Sequence, residues 1–175
     1  SSEVDLPQIL YNVPSRTACD LLPETIAILS DNDNIVGLKE ASKDISRIRK
    51  LKQELEKRPN GEDFLLYSGD DTSACNFLSE GGHGIISVTA NVIPDKIAKI
   101  CDLSLKGFTD KAVEEDNKLN DLHQALFLET SPIPVKWILN RLGRIPSGIR
   151  LPLTELDPRY HKKIELIIEK HGLLK

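Results

Sequence analysis

Short apolar runs, each followed by a stretch of helical period, recur along this chain at intervals of about 20–30 residues, and that alternation confines its first part to parallel βα units. The runs fall at residues 7–12, 35–39, 64–67 and 85–88. After them come helical patterns at 23–30, a stripe of Ile45, Ile48, Leu51 and Leu55, a short segment stopped by Gly81-Gly82, and 94–106 with Gly107 as its stop. Ser42 or Asp44 suits the N-cap of the second of these helices, and Arg58-Pro59-Asn60-Gly61 closes that unit. Beyond Phe108 only helical patterns remain, at 109–128, 134–142 and 158–171. The pattern predicts two parts. Residues 1–107 carry the βα units, and residues 108–175 hold the last outer helix and a helical segment.

Four parallel strands suit an open sheet or half of a (β/α)8 barrel. An open sheet places its ligand at a switch point and often uses a glycine-rich phosphate loop. Neither G-x-G-x-x-G nor G-x-x-x-x-G-K-[ST] occurs here. Gly81-Gly82-His83-Gly84 precedes a strand instead of following one, so it reads as a turn, with His83 as a turn residue. The polar residues favour the half-barrel. Tyr11, Lys39, Ser68-Gly69-Asp70 and Ser87 to Asn91 all fall at the C-terminal ends of strands, the face that carries the active site in such barrels.

Composition narrows the function classes. With 39% hydrophobic and 29% charged residues the chain has the make-up of a globular domain, not of a disordered one. Its 23 basic and 27 acidic residues are scattered, which excludes the concentrated basic footprint of a nucleic-acid binder. No apolar run is long enough for a membrane helix, and residues 1–8 lack the pattern of a signal peptide. The chain contains no Met, so it is expected to be a processed product or a piece of a longer protein. Cys19, Cys75 and Cys101 are odd in number, far apart and outside metal-ligand spacings. Cys101, among Ile97, Ile100 and Leu103, reads as a small buried hydrophobe, and a cytoplasmic location is expected.

Lys39 is the informative residue. Alternation puts Ile35, Gly37 and Lys39 on one face of their strand and Val36, Leu38 and Glu40 on the other. If the first face lines a lumen, Gly37 leaves space there and Lys39 projects into it. A desolvated lysine has a lowered pKa and offers the free amine that a Schiff base requires. The plainer alternative is a strand-end lysine in a salt bridge with Glu40 or Asp44. Other features have plain readings too. Asp70 and Asp71, without a nearby His, make a poor metal site and suit capping of the helix at Thr72. Trp137 packs within the helical tail, and residues 47–58 form a solvated outer helix face.

The order of motifs decides between the readings of Lys39. Tyr11-Asn12-Val13-Pro14-Ser15-Arg16-Thr17, then Gly37-Leu38-Lys39-Glu40-Ala41-Ser42, Ser68-Gly69-Asp70-Asp71, Gly81 to Asn91, and Pro132-Ile133-Pro134-Val135-Lys136 together resemble the dihydrodipicolinate synthase family, from about Leu6 to the C-terminus. The resemblance implies an α/β fold, the second half of a (β/α)8 TIM barrel (four βα units) with a C-terminal helical segment. It also implies a class I aldolase-type reaction. Pyruvate would condense with Lys39, become an enamine and attack aspartate semialdehyde, on the diaminopimelate route to lysine. No cofactor and no metal are implied beyond that covalent adduct.

Residue by residue, the resemblance makes Lys39 the Schiff-base lysine and Tyr11 the proton-relaying tyrosine. Arg16 would hold the semialdehyde carboxylate, for which a planar guanidinium is suited. Gly69 and Ile86 would shape the pyruvate pocket. Ala18 stands where the family often has glycine, and residues 56–63 look a few residues longer than usual. The first four barrel strands are absent from the sequence, with their paired pyruvate-binding threonines, a second tyrosine supplied across a subunit interface, and most of the lysine-inhibition site. The expected partners are pyruvate, aspartate semialdehyde and further copies of the chain as a dimer or tetramer, with no nucleic acid and no membrane. Two alternatives accompany this reading. One is a related pyruvate aldolase such as N-acetylneuraminate lyase, which Arg16 disfavours. The other is that the chain by itself is a non-catalytic half-barrel or assembly fragment.

Overall fold

Aliphatic residues at alternate positions make each strand two-faced, and the helix that follows it covers one of those faces. In the computed structural model, which describes residues 3–174, the strands are β1 (Gln8–Asn12), β2 (Ile35–Glu40), β3 (Leu65–Ser68) and β4 (Gly84–Ile85). They form a parallel sheet in the order β1-β2-β3-β4. Between them lie α1 (Pro14–Thr17), α2 (Pro23–Leu29), α3 (Ser46–Leu55) and α4 (Ala74–Ser79), and α5 (Pro94–Leu105) follows β4. Proline opens both α1 and α2, where its missing N–H costs nothing. Asp44 accepts the Ser46 N–H at 3.0 Å at the start of α3. Gly107, at φ +80°, ends the turn after α5, with the Phe108 N–H donated back to the Leu103 carbonyl at 2.9 Å.

Leu38 and Leu66 face the helices and join Ile26, Ala27, Ile48, Leu51, Leu55 and Phe77 in a buried cluster. Burying such side chains stabilises by about 1.5–3 kcal/mol each. The other face of the sheet is open, with Ile9 46% and Tyr11 48% exposed. Gly37 is required where it stands, because a Cβ there would lie 2.6 Å from the Leu65 carbonyl oxygen on the next strand. Four consecutive βα units in sequential order are half of a (β/α)8 barrel, and helices follow them, as expected.

The helices beyond α5 are α6 (Thr109–Asn117), α7 (Asn120–Ala125), α8 (Ile133–Arg141) and α9 (Pro158–Lys170). Contacts group the chain into two compact units. One holds the residues up to Ser87 with Cys101–Thr109, and the other holds Val88–Ile100 with the residues from Asp110 onward. Within the second unit, buried His123 bonds Thr89 Oγ1 at 2.7 Å through Nδ1 and Asp116 at 3.3 Å through Nε2. Trp137 stacks on His161 with ring centroids 4.8 Å apart.

Four expectations need correction. The helix expected at 109–128 breaks into α6 and α7. Leu119 takes φ −102° and ψ −1° between Asn117 and Asn120, residue types that compete with helical bonding through their side chains. The strand expected at 85–88 stops at Ile85. Val88 turns to helical angles, and Asn91 donates to its carbonyl from both backbone and side chain. Arg47, assigned to a solvated helix face, has a side chain only 12% exposed, because it is drawn onto the buried Glu40 carboxylate and the more exposed Asp20. Cys101 is only half-buried, whereas Cys75 is buried and Cys19 exposed.

Candidate active site

The register of β1 against β2 places Tyr11 opposite Lys39 and Asn12 opposite Glu40. Alternation sends the first pair to the open face and the second toward the helices. The Lys39 Nζ stands 4.2 Å from the centroid of the Tyr11 ring, a cation–π distance. Glu40 therefore points away from Lys39 and is engaged by Arg47 instead, at 3.3 Å. That removes Glu40 as the salt-bridge partner in the plainer reading of Lys39.

Gly69 forms the wall beneath the lysine. A Cβ at this position would come within 2.9 Å of Lys39 Cε and 3.0 Å of Lys39 Cγ, so only a glycine leaves the amine its slot. Burial lowers the Lys39 pKa, the negative charge of Asp71 raises it, and the Arg16 guanidinium lowers it, with a net shift downward. Arg16 lies in exposed α1, close enough for its charge to be felt at the amine. Ile86 stands one residue past β4 and is 41% exposed. Its N–H is donated to the Ser68 carbonyl at 2.8 Å, which carries the ladder one step further. Lys39 thus lies against both Tyr11 and Gly69, the Arg16 charge reaches Lys39, and Ile86 sits at the same end of the sheet.

The adjacent carboxylates have separate tasks. Asp70 accepts from Thr72 Oγ1 at 2.7 Å, from the Ser73 N–H at 3.0 Å and from Ser73 Oγ at 2.8 Å. It thereby caps the 3₁₀ turn Asp71–Ser73 that leads into α4. Burial would raise its pKa, but those hydrogen bonds and the Lys43 ammonium at 3.2 Å hold it below the usual range. Asp71 is 2% exposed and accepts a hydrogen bond from Ser87 Oγ. Its influence on Lys39 escaped the sequence reading. The available signal was that a single aspartate suffices for the cap, which leaves the second one over. His83 is more than a turn residue, since its Nδ1 accepts the Leu66 N–H at 2.9 Å and its own N–H is donated to the Leu66 carbonyl at 2.7 Å. Among the described residues no group of three or more His, Cys, Asp or Glu side chains is placed to hold a metal ion, and no helix is long and apolar enough to cross a membrane.

A lysine with a lowered pKa stands against a tyrosine at the C-terminal end of a parallel βα sheet that forms half of a (β/α)8 barrel. The chain belongs to the dihydrodipicolinate synthetase family, whose pattern it matches over residues 1–171. It is 51% identical to the 4-hydroxy-tetrahydrodipicolinate synthase of Saccharophagus degradans over 99% of its own length and 58% of that protein. With the Coxiella burnetii enzyme of the same name it shares 48% identity, over 97% of this chain and 56% of the relative. Among solved structures it resembles the Thermotoga maritima dihydrodipicolinate synthase, with TM-score 0.93 and 37% identity, covering 99% of this chain and 58% of that one. It also resembles a chloride-inhibited Acinetobacter baumannii dihydrodipicolinate synthase complexed with pyruvate, with TM-score 0.91 and 39% identity over 99% and 58% of the two chains. The chain therefore spans under two-thirds of the length of these relatives.

Proposed function

We propose that this chain carries the reacting lysine of a 4-hydroxy-tetrahydrodipicolinate synthase. The observation that carries the reading is the Lys39 amine, its pKa lowered by burial, over the Tyr11 ring at 4.2 Å. In this mechanism the free amine of Lys39 adds to C2 of pyruvate, and loss of water leaves an iminium. Release of a C3 proton gives the enamine, which forms a C–C bond to the aldehyde carbon of aspartate semialdehyde. Attack of the semialdehyde's own amine on the iminium carbon closes the ring and frees Lys39. Tyr11, in contact with the amine, relays the protons of imine formation and ring closure. Arg16 receives the semialdehyde carboxylate, while Gly69 and Ile86 shape the pyruvate pocket. The reaction needs no further cofactor and takes place in the cytoplasm, in an assembly of several copies.

The open face with Ile9 and Tyr11 supports a further step in the reading: in the 175-residue chain alone, pyruvate lacks the threonines that would orient it. Orientation accounts for about 7–11 kcal/mol of barrier lowering in well-positioned reactions, so turnover by the chain alone is expected to be negligible. Borohydride reduction in the presence of pyruvate, followed by peptide mapping, tests the core of the proposal. An adduct on Lys39 is expected, and an adduct confined to other lysines overturns it. Assaying the chain with and without the remaining length of a relative tests the incompleteness: near-normal turnover by a lone monomer contradicts it. In the completed enzyme, preference for N-acetylmannosamine over aspartate semialdehyde would replace this reading with the sugar-aldolase one.

A further inference from the structure

The helix-facing side of β1 and β2 carries a polar cluster that the mechanism leaves unused. Asn12 is 2% and Glu40 6% exposed. Asn12 Nδ2 donates to both Glu40 oxygens, at 3.2 and 3.0 Å, and to Asp20 Oδ1 at 3.0 Å. Its Oδ1 accepts the Leu21 N–H at 3.0 Å. Arg47, in the first turn of α3, closes the cluster from outside. Its Nε donates to Glu40 Oε2 at 3.3 Å, one terminal nitrogen to Asp20 Oδ2 at 2.8 Å, and the other to the Leu21 carbonyl at 2.8 Å. Glu40 also accepts the Ser42 N–H at 2.7 Å.

A buried ion pair is weak evidence for stability, since apolar residues of similar volume serve as well. Apolar residues are poor at specifying one alignment, however, and alignment is in question here. The β1–β2 pairing is irregular at its start: Gln8 stands opposite Ile35, but Ile9 stands opposite Gly37. The beginning of the sheet therefore does not dictate which residue of β2 faces Tyr11. A slip of one residue would send Lys39 to the wrong face relative to Tyr11. The Asn12–Glu40 pair lies at the far end of the strands, one position past Tyr11 and Lys39, and its fork of bonds is satisfied in a single register. The guanidinium of Arg47 ties that pair to the loop after β1 through donors in a fixed plane, which a lysine does not provide.

We propose that Asn12, Glu40 and Arg47 form a register clamp, with Arg47 as a positioning residue that holds the Tyr11 ring against the Lys39 amine from the opposite face of the sheet. The functional weight of this clamp rests on the reading of Lys39 as the reacting amine, but its existence is testable without substrate.

The test is competitive acetylation of the lysines of the 175-residue chain across pH, read by peptide mass spectrometry, with exposed Lys50 and Lys162 as references. Lys39 of the unaltered chain should label with a midpoint below theirs. Arg47→Met should move the Lys39 midpoint up toward the references and cut its labelling near neutral pH several-fold. Arg47→Lys should recover part of the difference. The double variant Glu40→Gln/Arg47→Met leaves no unpaired buried charge, so it should melt higher than Arg47→Met yet keep the displaced midpoint. Asp71 and Arg16, whose charges act on Lys39 directly, are untouched in all of these. Leu51→Ala, a core truncation in the same unit, should lower stability and leave the midpoint in place. A folded Arg47→Met or double variant with an unaltered midpoint overturns the clamp, and so does Leu51→Ala moving it equally. If neither variant folds, Arg47→Lys decides by the same measurement. Absence of a pyruvate adduct on Lys39 in the completed enzyme would sink the Schiff-base reading, while the acetylation result would still decide the clamp.

Discussion

The two faces of β1 and β2 are built from neighbouring residues and obey opposite rules. Toward the helices, Leu38 is fully buried and the charges of Glu40 and Arg47 are matched to one another. Among the described residues no buried side-chain polar atom lacks a partner. On the open face Tyr11 remains about half exposed, and the Lys39 amine stands 4.2 Å from the centroid of its ring. The contrast shows how one sheet can be closely packed on one face and open on the other. A closely packed side fixes the backbone, so the other side can hold an amine in a slot where burial outweighs the support of the Asp71 charge.

The largest test of that contrast is a pair of truncations. Leu38→Ala should cost about 2–5 kcal/mol, whereas Ile9→Ala on the open face should cost less than about 1 kcal/mol, given its exposure. Urea unfolding of both variants measures the difference, and equal costs would mean the open face is as well packed as the other. Next comes Gly69→Ala, which pushes a methyl group against Lys39 Cε and Cγ. Overpacking of this kind costs about 1–3 kcal/mol, and yield of the Lys39 pyruvate adduct should fall at least as steeply as stability. A normal adduct yield would show that the slot yields easily.

A smaller effect is expected in the loop after β1. Ala18 sits at φ 54° and ψ 20°, a left-handed conformation that costs a residue with a Cβ roughly 1–2 kcal/mol. Ala18→Gly should stabilise by about 1 kcal/mol at most, since glycine adds chain entropy to the unfolded state. A melting temperature lower than that of the unaltered chain would refute the strain. The smallest effect concerns Lys39 itself. Its folded-state pKa lies below the unfolded value, so the unfolded chain binds more protons in the window between the two. Stability therefore rises with pH through that window, and below it the ammonium opposes folding. Lys39→Met should remove this dependence and slightly raise the melting temperature at neutral pH while abolishing the adduct. A loss of stability at neutral pH would mean that the contact with Tyr11 outweighs burial.

Much of the site was legible because its determinants are local. Alternation alone separated Lys39 from Leu38 and Glu40, and the polar residues clustered at strand ends before any contact was known. The Asp70 cap was likewise visible, since Thr72 and Ser73 lie two and three residues on. Arg47 was misread for the converse reason. Among Arg, Lys and Glu residues on a helix its type suggests solvent, and only the arrival of Asp20 and Glu40 from 27 and 7 residues away turns it inward.

By itself the amino-acid sequence determined the βα rhythm and the direction in which each strand residue points, because these follow from periods of two and 3.6 residues along one chain. Tertiary structure alone decided which residue stands opposite Lys39, that Asp71 bears on its charge while held by Ser87, and that Glu40 is claimed by Arg47. Each of these depends on strand register and on groups far apart in sequence, and register is settled by the joint fit of all the pairs at once.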